Sequence, residues 1–575
     1  MGSRFPARES EIAGMKRGPI PNPARLWALP LVACLLPGLP AAAAPAKRGQ
    51  PARVKQQPPA PSRPIERLEV IPARVELDRR RGYRQLVVTG YVGGEPVDLT
   101  HAAAYRLAEP DVAKISGGRV TPLKDGQTTL LVSHGGRVVR VPVQVRNLAA
   151  PDPVRFRNEV LPVLTKQGCS GGSCHGSPHG KGGFALSLFG YDPEMDRISL
   201  TRDGFNRRVN VLEPKESLIL KKPLLEIPHV GGKRLVREDA AYRILHDWVY
   251  AGAETEAAEP ECERIEIRPG ASRVLRAPHL TQQLSVLAHF ADGTTRDVTA
   301  IATYESSHPG IASVDQNGRI TGRERGQAAV TIRYLDRLES FYVTVVRDIP
   351  GFVWKDTPEN GWIDRLVNEK LKQLQYLPSG ACSDEVFIRR VYLDLTGLLP
   401  SADRVRKFLA DCAQERATAA GTTSADLLTT PKTRARLIDE LLETEEYARF
   451  WALKKADLMR VSPKRLKDGG ADRFAKWLVD AVRSNMPHDR FAREILTSTG
   501  DARTVAAANY FLAIPSTEER TEMTAQIFMG SRVECARCHN HPFENWTMRD
   551  YYSIAAVFAR TQTDKTVVKL AASGE

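Results

Sequence analysis

Between residues 65 and 148 the chain alternates short apolar runs with turn residues. Gln85 to Val88, Thr129 to Val132 and Val138 to Val143 are rich in β-branched residues. Short strands at such regular intervals predict a β-sandwich. The same alternation of short apolar runs and turn residues occurs between residues 261 and 347. The pattern therefore predicts two all-β sandwiches, one on either side of a region with a different pattern.

The two β-rich regions also share a sequence motif. The first carries Asp98-Leu99-Thr100, then Tyr105, then Gly118-Arg119-Val120-Thr121; the second carries Asp297-Val298-Thr299, then Tyr304, then Gly318-Arg319-Ile320-Thr321. Order and spacing hold to within a residue, which identifies an internal repeat. These residues resemble the group 2 bacterial Ig-like domain over nearly the whole of both modules. The resemblance implies spacer or adhesion modules, and an inert spacer is the simpler expectation because a fold does not fix a function.

Apolar residues at helical spacing mark the other two regions. In residues 151–253, Val154 to Leu164 and Ala240 to Val249 predict helices on either side of an irregular middle, as in a small all-α domain. Residues 360–562 predict a mostly α domain. Its expected helices open at Trp362 and cover Asp384 to Leu395, Ser401 to Leu409, Lys432 to Glu443, Tyr447 to Met459 and Phe474 to Val482. Residues 413–430, rich in Ala and Thr, predict a flexible insertion.

The N-terminal residues predict export. Lys16 and Arg17 precede the apolar run Leu26 to Leu36, and small residues follow. This order is typical of a secretory signal peptide, here residues 1–46, and the run is too short and too broken by proline to span a membrane. The alternative prediction is lipidation at Cys34, which would attach the chain to a membrane. Residues 47–64 form a Pro-rich basic linker, and we expect a periplasmic or cell-surface location.

Charge and motifs narrow the choice of partners. The net charge is +14, from 82 Lys and Arg against 68 Asp and Glu. No nucleic-acid-binding motif accompanies this basic balance, so nucleic acid is not an expected partner. Envelope polysaccharide, a membrane surface or an acidic redox partner protein fit better, and a solvated basic surface without a partner is the simplest reading. No phosphate-binding loop or nucleophile elbow is present. Nothing in the sequence demands enzymatic activity, although a haem with an open iron position would allow it.

The strongest chemical motif lies near the C-terminus. Cys535 and Cys538 are separated by two residues and followed at once by His539, which is the attachment pattern of c-type haem. In this reading His539 is the proximal ligand. The alternative is zinc held by Cys535, Cys538, His539 and His541, a tetrahedral set from one loop. The distal haem ligand would come from Met459, Met486, His488, Met523 or Met548.

A looser version of this motif lies upstream. Four residues, two of them glycine, separate Cys169 from Cys174, and His175 follows. Haem attached to both thiols is the first reading, and a strained disulfide beside an unligated His175 is the alternative. Elsewhere, Cys382 and Cys412 would be able to pair in an oxidising compartment.

Further sequence segments around both motifs resemble a known family. Cys169 to Gly176, Gly183 to Pro193, Arg207 to Asn210 and Pro228 to Arg234 resemble the cytochrome c-like domain of a planctomycete-type family. The resemblance implies a small cytochrome c-like fold with His175 as the proximal ligand. We expect His229, in a glycine-flanked loop, as the distal ligand, with Met195 as the alternative.

The C-terminal region resembles the helical domain of unknown function that accompanies this cytochrome-like domain. The matching stretches are Phe387 to Gly397, Leu437 to Leu442 and Cys535 to Tyr552. The sequence thus predicts an exported electron-transfer protein with one or two haem c groups and a redox partner protein. The alternative is a cell-surface adhesion or scaffold protein whose Cys/His motifs are structural. No closing element is expected after Phe558, so a C-terminal portion is expected to be missing.

Overall fold

The structure is a computed structural model that describes residues 64–254, 259–357, 359–418 and 432–571. The predicted signal peptide, with Cys34, and all but the last residue of the linker lie outside these ranges, as does most of the predicted insertion. No helix within the described ranges combines the length and apolar character needed to cross a membrane.

The first β-rich region forms a β-sandwich-like module, as predicted. Its strands are β1 (Arg67–Ile71), β2 (Val75–Leu77), β3 (Arg84–Gln85), β4 (Val87–Val92), β5 (Glu95–Asp98), β6 (Ala104–Leu107), β7 (Ala113–Ser116), β8 (Arg119–Pro122), β9 (Gly126–His134) and β10 (Arg137–Val145). They pair in the orders β1-β4-β5, β2-β10-β9-β6 and β3-β8-β7. Alternate residues of β9 turn inward, which buries Leu130 and Val132 completely.

The second β-rich region repeats this arrangement. Its strands are β11 (Cys262–Arg268), β12 (Ser272–Arg276), β13 (Thr281–Gln283), β14 (Ser285–Phe290), β15 (Thr295–Asp297), β16 (Thr303–Ser306), β17 (Ala312–Val314), β18 (Arg319–Gly322), β19 (Gly326–Tyr334) and β20 (Arg337–Val346). The sheet orders β11-β14-β15, β12-β20-β19-β16 and β13-β18-β17 match those of the first module strand for strand. The structure therefore confirms that the sequence repeat is a repeat of the fold.

The repeated sequence motif builds the same corner in each module. In the first module the carboxylate of Asp98 accepts hydrogen bonds from the backbone N–H and the hydroxyl of Thr100, at 3.1 and 2.6 Å. The Thr100 hydroxyl in turn accepts from the N–H of Val88, and the hydroxyl of Tyr105 donates to the Thr100 carbonyl. The equivalent residues of the second module make the same four bonds. The motif is therefore structural, because it satisfies backbone groups that would otherwise be buried without partners.

The two modules pair through the second oxygen of each of these aspartates. The carboxylate of Asp297 accepts from the backbone N–H of Gln85 at 2.7 Å, and that of Asp98 accepts from the N–H of Gln283 at 3.1 Å. Residues at equivalent positions thus exchange equivalent bonds, as across a two-fold interface. His101 adds a contact of 2.8 Å to the Gln283 side chain. The tandem modules form one pseudo-symmetric unit.

The region between the modules is made of short helices joined by long irregular stretches. A π-helical turn (Phe156–Val160) leads into α1 (Leu161–Lys166), and α2 (Pro193–Thr201), α3 (Leu218–Lys221) and α4 (Ala240–Tyr250) follow. The predicted helices at both ends are confirmed, but a cytochrome c-like all-α domain is not evident. The reason lies in packing, since Phe156 and Trp248 belong to a core shared with the second β module. The hydroxyl of Tyr334 also donates to the Asn158 carbonyl at 2.7 Å.

The C-terminal region is mostly helical, as predicted. Its helices are α5 (Trp362–Gln373), α6 (Asp384–Thr396), α7 (Ala402–Thr418), α8 (Lys432–Leu442), α9 (Glu445–Leu458), α10 (Gly470–Arg483), α11 (His488–Leu496), α12 (Asn509–Ala513), α13 (Thr517–Thr524) and α14 (Met548–Ala559). The Ser383 hydroxyl caps α6, and Gly397 ends it with a positive φ of 70°.

Two predictions about this region were wrong in detail. Helix α7 continues to Thr418, so residues 413–418 are helical rather than part of a flexible insertion. Strands β21 (Gly500–Asp501), β22 (Thr561–Asp564) and β23 (Val567–Leu570) form a small sheet, so a closing element does follow Phe558. The sheet was missed because its strands are short and one partner lies sixty residues upstream.

Candidate functional site

The upstream cysteine motif forms a compact loop directly after α1. The N–H of Cys169 donates to the Leu164 carbonyl, and the N–H of His175 returns to the Cys169 carbonyl at 3.0 Å. Burial raises the pKa of the Cys169 thiol to about 12, with the nearby Cys174 adding to the effect. All seven cysteines within the described ranges are free thiols, so neither the Cys169–Cys174 nor the Cys382–Cys412 disulfide is formed.

The imidazole of His175 is held in one orientation and one tautomer. Its Nδ1 lies 2.9 Å from the carbonyl oxygen of Phe184. A carbonyl oxygen only accepts, so Nδ1 carries the proton and Nε2 keeps the lone pair of the neutral ring. The Phe184 ring packs against the imidazole at 4.6 Å. Burial lowers the pKa of His175, which favours the neutral form that binds metals.

A buried arginine holds the Phe184 corner in place. Arg208 is 7% exposed, and its guanidinium donates to the carbonyls of Ser199, Asp203 and Gly183. It also lies 4.5 Å from the centre of the Phe184 ring. Arg208 therefore fixes the backbone that orients His175, a role that the sequence reasoning missed.

The imidazole of His229 is likewise held by a hydrogen bond between its Nδ1 and a backbone carbonyl. Its Nδ1 lies 2.9 Å from the Gly232 carbonyl, which again leaves the lone pair on Nε2 of the neutral ring. A Cβ atom at Gly231 would stand 2.8 Å from Cε1 of this ring and 3.0 Å from Nε2. Gly231 is thus required for the close approach of backbone and imidazole.

The structure brings these two histidines together. The ring centres of His175 and His229 are 6.5 Å apart, and the ring planes are inclined by 14°. Free thiols, two oriented imidazoles and the cradle at Gly231 therefore fit a haem held through both sulfurs and ligated by both histidines.

The alternative ligand Met195 occupies a different setting. It lies in the first turn of α2 with 37% of its surface exposed, and its N–H donates to the capping carboxylate of Asp192. The structure thus gives His175 a neighbouring imidazole at His229 and leaves Met195 on the helix surface.

The C-terminal motif begins on a short 3₁₀ helix (Glu534–Arg537). Cys535 and Cys538 are exposed, and the N–H of Cys538 donates to the Cys535 carbonyl at 3.3 Å. Nδ1 of His539 lies 2.8 Å from the Asn540 carbonyl, so this ring also keeps its lone pair on Nε2. Cys535, Cys538 and His539 therefore present the thiols and the tautomer that the haem reading requires.

His541 is arranged differently. It is 7% exposed, and its Nδ1 accepts a hydrogen bond from the backbone N–H of Phe543 at 3.1 Å. A backbone N–H only donates, so the proton of the neutral ring sits on Nε2 and neither nitrogen offers a free lone pair. Across the described ranges, no group of three or more His, Cys, Asp or Glu is placed to hold a metal ion. The four residues of the zinc reading are therefore not assembled as a preformed tetrahedral set.

The distal candidates for the C-terminal motif are scattered. Met459 and Met523 belong to the buried helical core, Met486 packs against it, and His488 stacks on Phe491. Only the backbone of Met548 is tied to the motif, through a bond from its N–H to the Asn540 side chain at 3.1 Å.

One segment between the two motifs touches both, which the sequence did not indicate. The ring centre of Tyr191 lies 6.2 Å from that of His539. Burial raises the pKa of Tyr191, and the nearby Asp192, Asp196 and Cys538 add to the effect. Two residues before Tyr191, the N–H of Phe189 donates to the carbonyl of Ser170, inside the upstream loop. Residues 188–191 therefore contact both cysteine motifs.

Buried polar bonds rigidify this segment. The carboxylate of Asp196 accepts from the N–H and the hydroxyl of Ser187, at 2.5 and 2.6 Å. Burial raises the pKa of Asp196 to about 6. On the other side, the Asn545 side chain bonds both backbone groups of Leu338, which ties the C-terminal motif to β20.

Family models match three parts of the chain. Residues 362–563 match the model described as PSCyt2, a protein of unknown function (DUF1549), and residues 266–334 match the bacterial Ig-like domain of group 2. Residues 99–145 match the N-terminal β-sheet domain of hyaluronate lyase, so the group 2 resemblance is supported for the second module and not for the first. A comparison with curated proteins finds no match.

Several solved structures with similar parts are surface-layer proteins. Domains 5–6 of the S-layer protein SbsC are 14% identical with a TM-score of 0.22, over 50% of this chain and 99% of that one. Domains 4–9 of SbsC are 14% identical with a TM-score of 0.21, over 49% and 31% of the two chains. At these TM-scores the similarity carries no inference about this chain.

Proposed function

We propose that the chain is an exported cytochrome-like protein that transfers electrons through haem attached to Cys169 and Cys174. His175 and His229 would ligate its iron. The proposal depends on one observation above all, the near-parallel pair of imidazoles 6.5 Å apart, each with Nδ1 anchored on a backbone carbonyl. When bound, haem supplies the one-electron chemistry, and the protein supplies binding, orientation and environment.

The residues around the site would set that environment. The Phe184 and Gly232 carbonyls keep both Nε2 atoms as acceptors, and hydrogen bonds of this kind fix the orientation of ligating histidines. Arg208 holds the Phe184 corner. A haem held by both histidines would supply electron transfer.

A second haem at Cys535, Cys538 and His539 is the natural extension of this proposal. Its support is the His539 tautomer together with the position of Tyr191 between the motifs. Neighbouring redox groups in one rigid frame would let electrons pass within the chain before reaching a partner protein. Zinc at this motif is the weaker alternative, because the Nδ1 lone pair of His541 is engaged with Phe543.

A surface scaffold is the second candidate function. The specific observation in its favour is the reciprocal pairing of Asp98 with Gln283 and of Asp297 with Gln85, which makes a stiff tandem of Ig-like modules. The family matches support this candidate more directly than the first, since they identify an Ig-like domain and a domain of unknown function. In this role the Cys/His motifs would be structural.

Spectroscopy separates the two candidates. The full chain should be matured in a bacterial host with a haem-attachment system, and the purified protein examined by reduced-minus-oxidised visible spectra. Electron transfer predicts the bands of a low-spin c-type haem, whereas the scaffold predicts a colourless protein.

A further inference from the structure

A cavity of about 1050 Å³ lies where the two β modules meet helix α4. Its walls come from residues 76–85 and 114–122 of the first module and residues 295–301 and 315–319 of the second, with α4 on the remaining side. Small-molecule sites usually occupy about 300–1000 Å³, so this cavity is large enough for a ligand of several sugar rings. It is separate from both cysteine motifs.

The acidic groups of the cavity are largely committed to the protein. Asp152 and Glu159 pair with Arg79 and Arg81, at 2.6 to 3.8 Å. Asp297 accepts from backbone groups of both modules. These carboxylates therefore do not neutralise the rest of the cationic lining.

Six arginines of the lining have no acidic partner within the described ranges; two of them, Arg80 and Arg243, are exposed, and the other four are partly buried. Within the described ranges, no carboxylate lies at ion-pair distance from Arg84, Arg119, Arg296 or Arg319. Nε of Arg119, Nε of Arg319 and Nη1 of Arg296 are buried without a hydrogen-bond partner. Buried donors without acceptors are costly, and guanidinium groups favour planar anions.

Two features support this arginine cluster as an anion-binding site. Arg119 and Arg319 are equivalent positions of the internal repeat, so the pseudo-symmetry brings the same side chain into the cavity from both modules. Burial lowers the pKa of Arg296, and the neighbouring Arg79 and Arg155 lower it further. An anion in the cavity would relieve that repulsion.

We propose that this cavity binds an acidic oligosaccharide, whose carboxylate or sulfate groups pair with Arg119, Arg296 and Arg319. The mixed lining favours a sugar over an acidic peptide. The side-chain N–H groups of Asn317 donate to hydroxyl groups and the exposed carboxylate of Asp78 accepts from them, and a polyglutamate chain has no hydroxyl groups to use these partners. This inference does not rest on haem binding.

Titration calorimetry on the full chain tests the proposal with defined probes. The probes are a galacturonic acid tetrasaccharide, a heparin tetrasaccharide, neutral maltotetraose and tetraglutamate. We expect one or both acidic sugars to bind, with an affinity that falls as NaCl is raised. Which of the two binds assigns carboxylate or sulfate. Binding of neither, or equal binding of tetraglutamate, would overturn the proposal.

Variants locate the binding in the cavity. R119Q and R319Q should each weaken binding by about tenfold or more, the effect of losing one charge-assisted pair. R140Q, at an exposed arginine of β10 outside the cavity, is the matched control and should leave the affinity unchanged. R119K and R319K cover the case of misfolding, because they keep the charge while removing the planar fork. Equal affinity in R119Q, R319Q and R140Q would place the sugar elsewhere and refute the site.

Discussion

The ring centres of His175 and His229 lie 6.5 Å apart with nearly parallel planes, although the chain passes through α2 and α3 between them. Each ring is anchored through Nδ1 to a carbonyl close by in its own loop. Two loops thus independently present the nitrogen type that ligates iron. The pair is the basis for the predictions on ligation below.

Replacement of His229 should change the ligation of the iron without releasing the haem. In H229A the thiols of Cys169 and Cys174 remain, so we expect a covalently attached haem whose visible spectrum shifts from six-coordinate low-spin to high-spin. Added imidazole should restore the low-spin spectrum. M195L is the control and should match the original protein. A high-spin spectrum in M195L with a low-spin one in H229A would instead make Met195 the distal ligand.

A methyl group at Gly231 should also shift the haem spectrum toward high-spin, but less than H229A does. The new Cβ would stand 2.8 Å from Cε1 of His229, so the ring or the loop has to shift. We expect G231A to raise the high-spin fraction while haem attachment is kept. G310A, where a Cβ atom meets open space, is the control. An unchanged spectrum in G231A would show that the ring position observed here is not the ligating one.

The C-terminal motif should be tested separately. C535A/C538A is expected to remove about half of the haem per chain if both motifs carry one. H541A should leave haem content unchanged, because Nδ1 of His541 is occupied by the Phe543 N–H. Metal analysis of the same samples decides the alternative. Zinc near one atom per chain, lost in both variants, would support the zinc reading.

Lys166 should make stability depend on pH. Burial lowers its pKa from 10.5 to about 7, and its ammonium group donates to the carbonyls of Ala302 and Gln316. Between pH 7 and about 10 the unfolded chain holds this proton and the folded chain does not, so stability should rise with pH. The rise is up to about 1.4 kcal/mol per pH unit.

The melting temperature measures this effect. K166M should show a smaller increase between pH 7 and pH 9 than the original protein, while K215M, at an exposed lysine, should not differ from it. Identical pH profiles for K166M and the original protein would show that Lys166 keeps its proton in the folded state.

The reciprocal aspartates should matter for stability in proportion to their burial. D297A leaves the N–H of Gln85 and the Thr299 groups without an acceptor, at an expected loss of about 1–3 kcal/mol. D98A should cost less because Asp98 is half-buried. D111A, at an exposed surface pair, is the control and should cost less than about 1 kcal/mol.

A double-variant cycle then tests the symmetry of the interface. If one contact holds both bonds, D98A/D297A should cost less than the sum of the single changes. Melting temperatures provide the comparison, and strict additivity would mean that the two bonds are independent.

Much of the fold was readable from local signals. The alternation of strand β9, the Asp98 corner repeated at Asp297, and the Ser383 cap with the Gly397 stop each act over a few residues, so the sequence carries them directly. Strand β21 was not readable, because its partner β23 lies far along the chain.

The candidate site was predicted in part for the same reason. Cysteine spacing is local, and so are the glycines beside His229, which led to the expectation that His229 is the distal ligand opposite His175. The roles of Tyr191, Arg208 and the Phe184 carbonyl depend on packing between distant segments. The tautomer of His541 likewise depends on a turn that places the Phe543 N–H against its ring.

The most direct test of haem binding is peptide mapping of the protein matured with a haem-attachment system. The chain should be denatured, digested, and the peptide spanning Cys169 to His175 weighed. We predict that this peptide carries covalent haem, and that C169S/C174S loses it while the protein still folds. A colourless protein in which both thiols are free to react with an alkylating agent would contradict the account.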